Sequence, residues 1–266
     1  MGVMWSLFKK DLKAVTTFPR LEILLSIFTF IFVGMSLSSV VQGTGGARFC
    51  WSCLSASDFI RSFRSSFSWF LSSFVFIFVP LLMTEVISGE YERGTLLALV
   101  TYPVKRFEVL TSKFLATFLF SSVILITPFL CSIVLGSYFN GLAINSNMLL
   151  GYFTGLMLLS LVLCSVVVLM SVLSRRLLLA VLSFIVVSLC WGVAVDGLAM
   201  TMNLSELRIY AYIETVRNLI NLIVSPEDPF ILFSREQIFA AAALQLAISA
   251  LCLGLAYWFF KRREFK

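Results

Sequence analysis

Residues Glu85–Ala116 read EVISGEYERGTLLALVTYPVKRFEVLTSKFLA, a long polar interruption between two apolar runs. The first run ends at Ile87, Gly89 breaks the helix, and Glu90, Glu92 and Arg93 lead into Gly94 and Thr95. Leu96, Leu97, Leu99 and Val100 predict a short helix, far too few apolar residues for a bilayer crossing, which takes about 20. Tyr102 and Pro103 stop it, since proline cannot continue a helix and biases the preceding residue away from helical backbone. A second helix restarts at Pro103 and Val104, sets Lys105, Arg106, Glu108 and Lys113 at a membrane edge, and turns apolar from Phe114. The stretch reads as a helical elbow pushed out of the membrane into the cytosol, with an apolar face that needs a partner.

The rest of the chain supplies the membrane. Its 266 residues are 60% hydrophobic with a mean hydropathy of +1.00, whereas soluble domains are about 45–50% apolar. This composition predicts an all-α, polytopic membrane protein with one transmembrane domain over residues 1–266. The net charge of +6 is not gathered into a stripe that would suit nucleic acid; the basic residues sit at the ends of apolar runs, where membrane topology explains them. The chain has no histidine, which excludes a His-Glu-x-x-His zinc site, Ser-His or Cys-His nucleophile pairs and a histidine proton relay.

Six apolar runs predict six spans: 21–41, 67–87, 114–135, 149–173, 177–195 and 238–260. The first covers about 30 Å as a helix, the thickness of the hydrocarbon core, and is too long for the apolar core of a cleaved signal peptide. Ahead of it, Trp5, Phe8, Leu12 and Val15 recur at helical spacing with Lys9, Lys10 and Lys13 on another side. That pattern predicts an interfacial helix. Pro80 and Pro128 predict kinks in spans two and three, and Gly151 with Gly155 forms a small-residue motif in span four that either admits a close neighbour or is incidental. Ser174, Arg175 and Arg176 form a tight basic turn before span five.

Between spans five and six, Ile209, Ile213, Val216, Ile220 and Ile223 recur at helical spacing while Glu206, Glu214, Asn218 and Asn221 fall elsewhere. An amphipathic helix follows from that stripe; Asn203 with Glu206 suits its start, and Pro226 with Pro229 its end. It lies either on a leaflet surface or as a lid over the bundle. Cys50 and Cys53 form a C-x-x-C pair in the first outer loop without the βαβ context of a redox motif, so a disulfide and two free thiols both remain open. Cys131, Cys164, Cys190 and Cys252 lie in apolar runs, where cysteine behaves as a small hydrophobe.

With both termini in the cytosol, 14 of the 20 Lys and Arg residues fall in cytosolic segments and 6 in outer loops. The positive-inside rule favours that orientation. Charges inside a span are costly and kept for use. Here only Glu22 and Glu85 fall within spans, both near cytosolic ends, which disfavours an ion-driven secondary transporter. Glu85 and Lys113, at facing ends of spans two and three, either pair or snorkel separately to the interface.

The elbow resembles the cytosolic loop after the second span in the type-2 permeases of ATP-binding-cassette (ABC) exporters. Glu85, Glu92, Gly94, Thr95 and Leu96, then Tyr102, Pro103, Val104, Arg106, Phe107 and Glu108, then Lys113, Phe114, Leu115 and Ala116 match the pattern in order. The six-span layout extends the likeness over most of the chain. The resemblance implies a membrane permease without enzymatic activity of its own, in the plasma or inner membrane. Its partners would be two copies of an ABC ATPase and a second permease, identical or related. The chain has no G-x-x-x-x-G-K-[ST] phosphate loop, so ATP and Mg would be bound by the ATPase. The resemblance further implies that the elbow is the coupling surface, carried by Glu90, Glu92, Gly94, Thr95, Leu96, Leu97, Leu99, Tyr102, Pro103 and Arg106. It also favours the lid, and by analogy alone it places Ser72, Phe76, Phe184 and Ser188 along a translocation path. An aromatic, serine-dotted and uncharged wall suits a lipid-like, peptide or drug-like cargo. The alternative is a secondary transporter, or a membrane assembly or scaffold subunit without ATP coupling.

Overall fold

The computed structural model describes residues 2–16, 26–27, 29–30, 34, 84–92, 105–140, 146–174, 176–202, 205–224 and 233–262. Most of spans one and two, the Cys50 and Cys53 pair, Asn203, Pro226, Pro229 and elbow residues 93–104 lie outside these.

Among the described residues the secondary structure is all helical. Helix α1 is Gly2–Thr16, α2 is Arg106–Asn140, α3 is Ser146–Leu173 and α4 is Leu177–Thr201; a 3-10 turn, Ser205–Tyr210, leads to α5, Tyr212–Val224, and α6 is Arg235–Arg262. Among the described residues, four helices are long and apolar enough to cross a membrane: Arg106–Cys131, Leu149–Leu173, Leu177–Thr201 and Arg235–Arg262. They correspond to the expected spans three to six. Spans one and two fall mainly on residues outside the description.

The helices overrun the apolar stretches that mark them. Span three, expected over 114–135, is part of a single helix from Arg106 to Asn140 that continues through Pro128. Span five, expected to end at Val195, runs on to Thr201. Hydropathy falls at Asp196, but a polar residue does not end a helix, no proline intervenes, and the chain stays helical through Gly197. Span six begins three residues early because Ser234 and Gln237 form a capping box. The Gln237 N–H donates to Ser234 Oγ at 3.3 Å, and the Ser234 N–H donates to Gln237 Oε1 at 3.0 Å, so two donors at the helix start are satisfied reciprocally.

Helix α3 is the centre of the bundle. Its membrane window is 78% buried, against 28% for α4 and for α6. Leu156, Leu159, Val162, Leu163 and Val167 of α3 pack with Phe120, Ile124 and Leu125 of α2 and Phe184 of α4 in one core. Small polar groups join the helices where they approach. Ser122 Oγ and Ser160 Oγ are 3.1 Å apart, and Ser121 Oγ is 3.2 Å from Cys164 Sγ. Lipid tails give helices no hydrophobic reason to associate, so close packing and such contacts, worth about 0.6 kcal/mol each, hold them.

Helix α1 packs along α2 with Phe8 buried, while Lys9, Lys10 and Lys13 stay exposed. Trp5 stacks on Phe8 with ring centroids 5.3 Å apart. The expected amphipathic pattern is therefore present, with α2 as one of its apolar partners.

Candidate functional site

At one end of the bundle the start of α2, the end of α3 and the start of α4 meet the segment that leads into the elbow, and the end of α6 meets the start of α2. Gly89 was expected to break this segment. It does not: Glu85–Gly89 forms a single π-helical turn and Glu90–Glu92 continues as helix. A glycine inside a helix costs about 1 kcal/mol, and tertiary contacts override that here. Ser88 Oγ donates to the Ser171 carbonyl of α3 at 3.3 Å, and Lys113 Nζ of α2 donates to Glu90 Oε2 at 2.6 Å. Wider π turns concentrate at functional positions.

Lys113 is 1% exposed. Its ammonium is enclosed and pairs with Glu90, five residues beyond the expected partner Glu85. The side chain of Glu85 lies outside the description. Ser171 Oγ is the one buried side-chain polar atom without a hydrogen-bond partner among the described residues.

Glu92 ties the elbow to a distant helix. Its Oε1 accepts a hydrogen bond from the Leu177 backbone N–H at 2.8 Å, across 85 positions of sequence. The four leading N–H groups of a helix have no partner within it, and Arg176, at the cap position of α4, makes no side-chain capping bond. A carboxylate from the elbow fills that place, and its negative charge suits the positive end of the helix dipole. Arg106 does the converse at the same end. Its Nη1 donates to the Lys261 carbonyl at 2.7 Å, in the last turn of α6, where the dipole is negative. Phe107 meets Tyr257 edge-on at 5.3 Å beside it.

At the opposite end, α5 covers α3 and α6. Ile209, Val216 and Ile220 of the expected stripe are buried, and Ile213 and Ile223 are partly buried. Asn218 and Asn221, expected on the polar side, are buried as well; the Asn218 amide donates to the Glu214 carbonyl within the helix at 2.8 Å. Gly155 is what admits α5. A Cβ there would lie 2.6 Å from Ile220 Cγ1 and 2.8 Å from its Cδ1, so Gly155 of the glycine motif in span four is a close-approach site.

Helix α5 is 13 residues long, too short to cross a bilayer, and it packs on α3 and α6.

The match to known families decides what this arrangement belongs to: the family described as ABC-2 family transporter protein matches residues 5–265. The chain belongs to that family. It is a multi-pass membrane permease of an ABC transporter, and membership implies partnership with an ABC ATPase subunit. Permeases of this family are typically the non-catalytic membrane subunits, with nucleotide bound by the ATPase. Comparison with curated proteins gave no match.

Of the candidate coupling residues in this ABC-2 permease, Glu90, Glu92 and Arg106 gather at the elbow end, each tied to a different helix. Gly94, Thr95, Leu96, Leu97, Leu99, Tyr102 and Pro103 lie outside the described residues, as do Ser72 and Phe76 of the candidate path. Phe184 and Ser188 lie on the inward face of α4, 0% and 7% exposed. The outward face of the same helix carries Leu182, Val186, Leu189 and Val193. Sequence reasoning missed the Glu92 cap and the Glu90 partner of Lys113, which join residues distant in the chain. It also missed the capping box, whose Ser-x-x-Gln signal was there to be read.

Proposed function

We propose that this chain is the membrane-spanning subunit of an ATP-driven exporter, and that Glu90–Thr101 carries the motion of a separate ABC ATPase into the bundle. The observation that supports this best is the pair of ties made by Glu90 and Glu92. One fixes the head of the elbow to span three through Lys113, the other to the first turn of span five through Leu177. A lever must be fixed to the parts it moves and must offer its driver a surface. Leu96, Leu97 and Leu99 are the apolar anchors for that surface, Gly94 lets a partner backbone approach, and Tyr102 and Pro103 set the angle into span three.

The elbow faces the cytosol in this reading, with both termini, as the distribution of basic residues favours. Six spans make half a transporter, so two permeases and two ATPases form the working assembly. Cargo passing at the permease interface would meet the exposed face of span five, with Phe184 and Ser188 one layer behind it and Ser72 and Phe76 on span two. An apolar, uncharged wall of this kind suits a lipid-like, peptide or drug-like molecule. Ion-driven transport finds less support, because the buried charge among the described residues is Lys113, and it is paired at the elbow end.

The test is reconstitution. The permease and its cognate ABC ATPase should co-purify from detergent, and in nanodiscs the ATPase should hydrolyse ATP at a rate that differs from that of the ATPase alone. Failure to associate, or an unchanged rate, would remove the proposal.

A further inference from the structure

We infer that span five is a rigid relay that reports the state of the elbow to the lid at the other end of the bundle, and that Trp191 is the residue through which it does so. The inference rests on the coupling role proposed above. Helix α4 is continuous from Leu177 to Thr201 and contains no proline. Its first N–H is held by Glu92. About 21 Å further along, at 1.5 Å per residue, Trp191 meets the lid in two ways. Its ring stacks on Tyr212, the first residue of α5, with centroids 5.8 Å apart and planes 19° from parallel. Its Nε1–H points to the Tyr210 carbonyl at 3.4 Å.

That carbonyl ends the 3-10 turn ahead of α5, where the chain reverses into the lid. Gln245 of α6 approaches it from another side, with Nε2 at 3.5 Å from the same oxygen and 3.1 Å from Thr215 Oγ1. The Thr215 hydroxyl lies in turn against the Ile209 and Ala211 carbonyls. The lid's first turn is thus held between spans five and six. Span six is anchored at its far end by Arg106, at the start of α2 beyond Pro103, whereas span five is anchored by Glu92, at the head of the elbow. A rotation of the elbow head about its Glu90–Lys113 tie to span three swings Glu92 and shifts span five against span six, and Tyr210 lies where those two spans divide their hold on the lid. Trp191 and Glu92 are positioning residues in this scheme and touch neither nucleotide nor cargo.

The test reads lid accessibility against nucleotide state. Arg217 of α5 is partly exposed and paired with Glu214 at 2.8 Å, and Arg217→Cys on a background free of other cysteines places a thiol there. The probe is the rate of maleimide labelling of the permease and ATPase complex in nanodiscs, nucleotide-free against vanadate-trapped. We expect the two rates to differ by about fivefold, the lower end of ordinary coupling between sites. Glu92→Ala and Trp191→Leu should each bring the ratio close to one, and the double variant should match either single one, because both break the same series of contacts. Trp191→Phe, which keeps a ring and drops the N–H donor, serves if the leucine variant does not fold. A ratio retained in either single variant overturns the relay. So does equal labelling in the parent while the ATPase is bound and hydrolysing. Failure of the ATPase to bind the parent would instead overturn the coupling role, and the relay with it.

Discussion

The carboxylate of Glu92 caps the helix that begins at Leu177, at 2.8 Å and across 85 residues of chain. Helix starts are usually capped by the residue just before them. Here the cap comes from the elbow, so the start of span five is completed only when the elbow is in place. Glu92→Ala should cost about 1 kcal/mol, the ordinary worth of a cap, and should loosen the first turn of α4. Hydrogen exchange at residues 177–180 measures it: exchange there should quicken while the middle of α3 is unchanged. Association with the ATPase should be nearly intact, and ATP-linked activity reduced.

The ion pair between Lys113 and Glu90 predicts an asymmetry. Glu90→Ala removes the carboxylate that pairs with a buried ammonium and should destabilise the protein by on the order of 3 kcal/mol. Lys113→Met removes the charge that needs a partner and keeps most of the volume, so it should cost less. Thermal unfolding in a single detergent ranks the two; equal losses would mean that Glu90 is not what holds Lys113.

Gly155 predicts a steric effect with a matched rescue. Gly155→Ala drives a methyl into Ile220 and should destabilise by about 1–3 kcal/mol, the range for overpacking. Ile220→Ala removes both atoms that the methyl would strike. The double variant should therefore lose less than the sum of the two single ones. Strict additivity, measured by the same unfolding assay, would show that α5 does not press on span four at this point.

What the sequence made legible, and what it did not, follows from range. Spans three to six stand out because a crossing helix needs a long apolar run, and the lid because Ile209, Val216 and Ile220 repeat at helical spacing. Helix ends were less legible: Asp196 lowers hydropathy without ending the helix, and the box of Ser234 and Gln237 sets a start outside the apolar run. The Glu92 cap is a side chain meeting a distant backbone group, which leaves no periodic trace. Lys113 at the edge of an apolar run reads the same whether it snorkels or is buried with a partner. Asn218 and Asn221 misled because polarity was taken for exposure, although the covering of α5 by two other helices buries more than its apolar stripe.

Orientation is open to a direct test. Arg217→Cys, in the lid, should react with a membrane-impermeant maleimide from outside intact cells, and a cysteine at Lys105 only after the cytosolic side is opened. Reaction of the lid position from the cytosolic side alone would invert the topology and turn the elbow away from any cytosolic ATPase.

The central claim is that the elbow meets the ATPase, and the most direct measurement is co-purification of the cognate ABC ATPase with Leu97→Asp. A carboxylate buried without a partner in an apolar contact is strongly penalised. The ATPase should therefore be lost from the variant while the permease itself remains folded and monodisperse. Retention of the ATPase at the parental ratio, with the parental rate of ATP hydrolysis, would contradict the claim and put the coupling surface elsewhere.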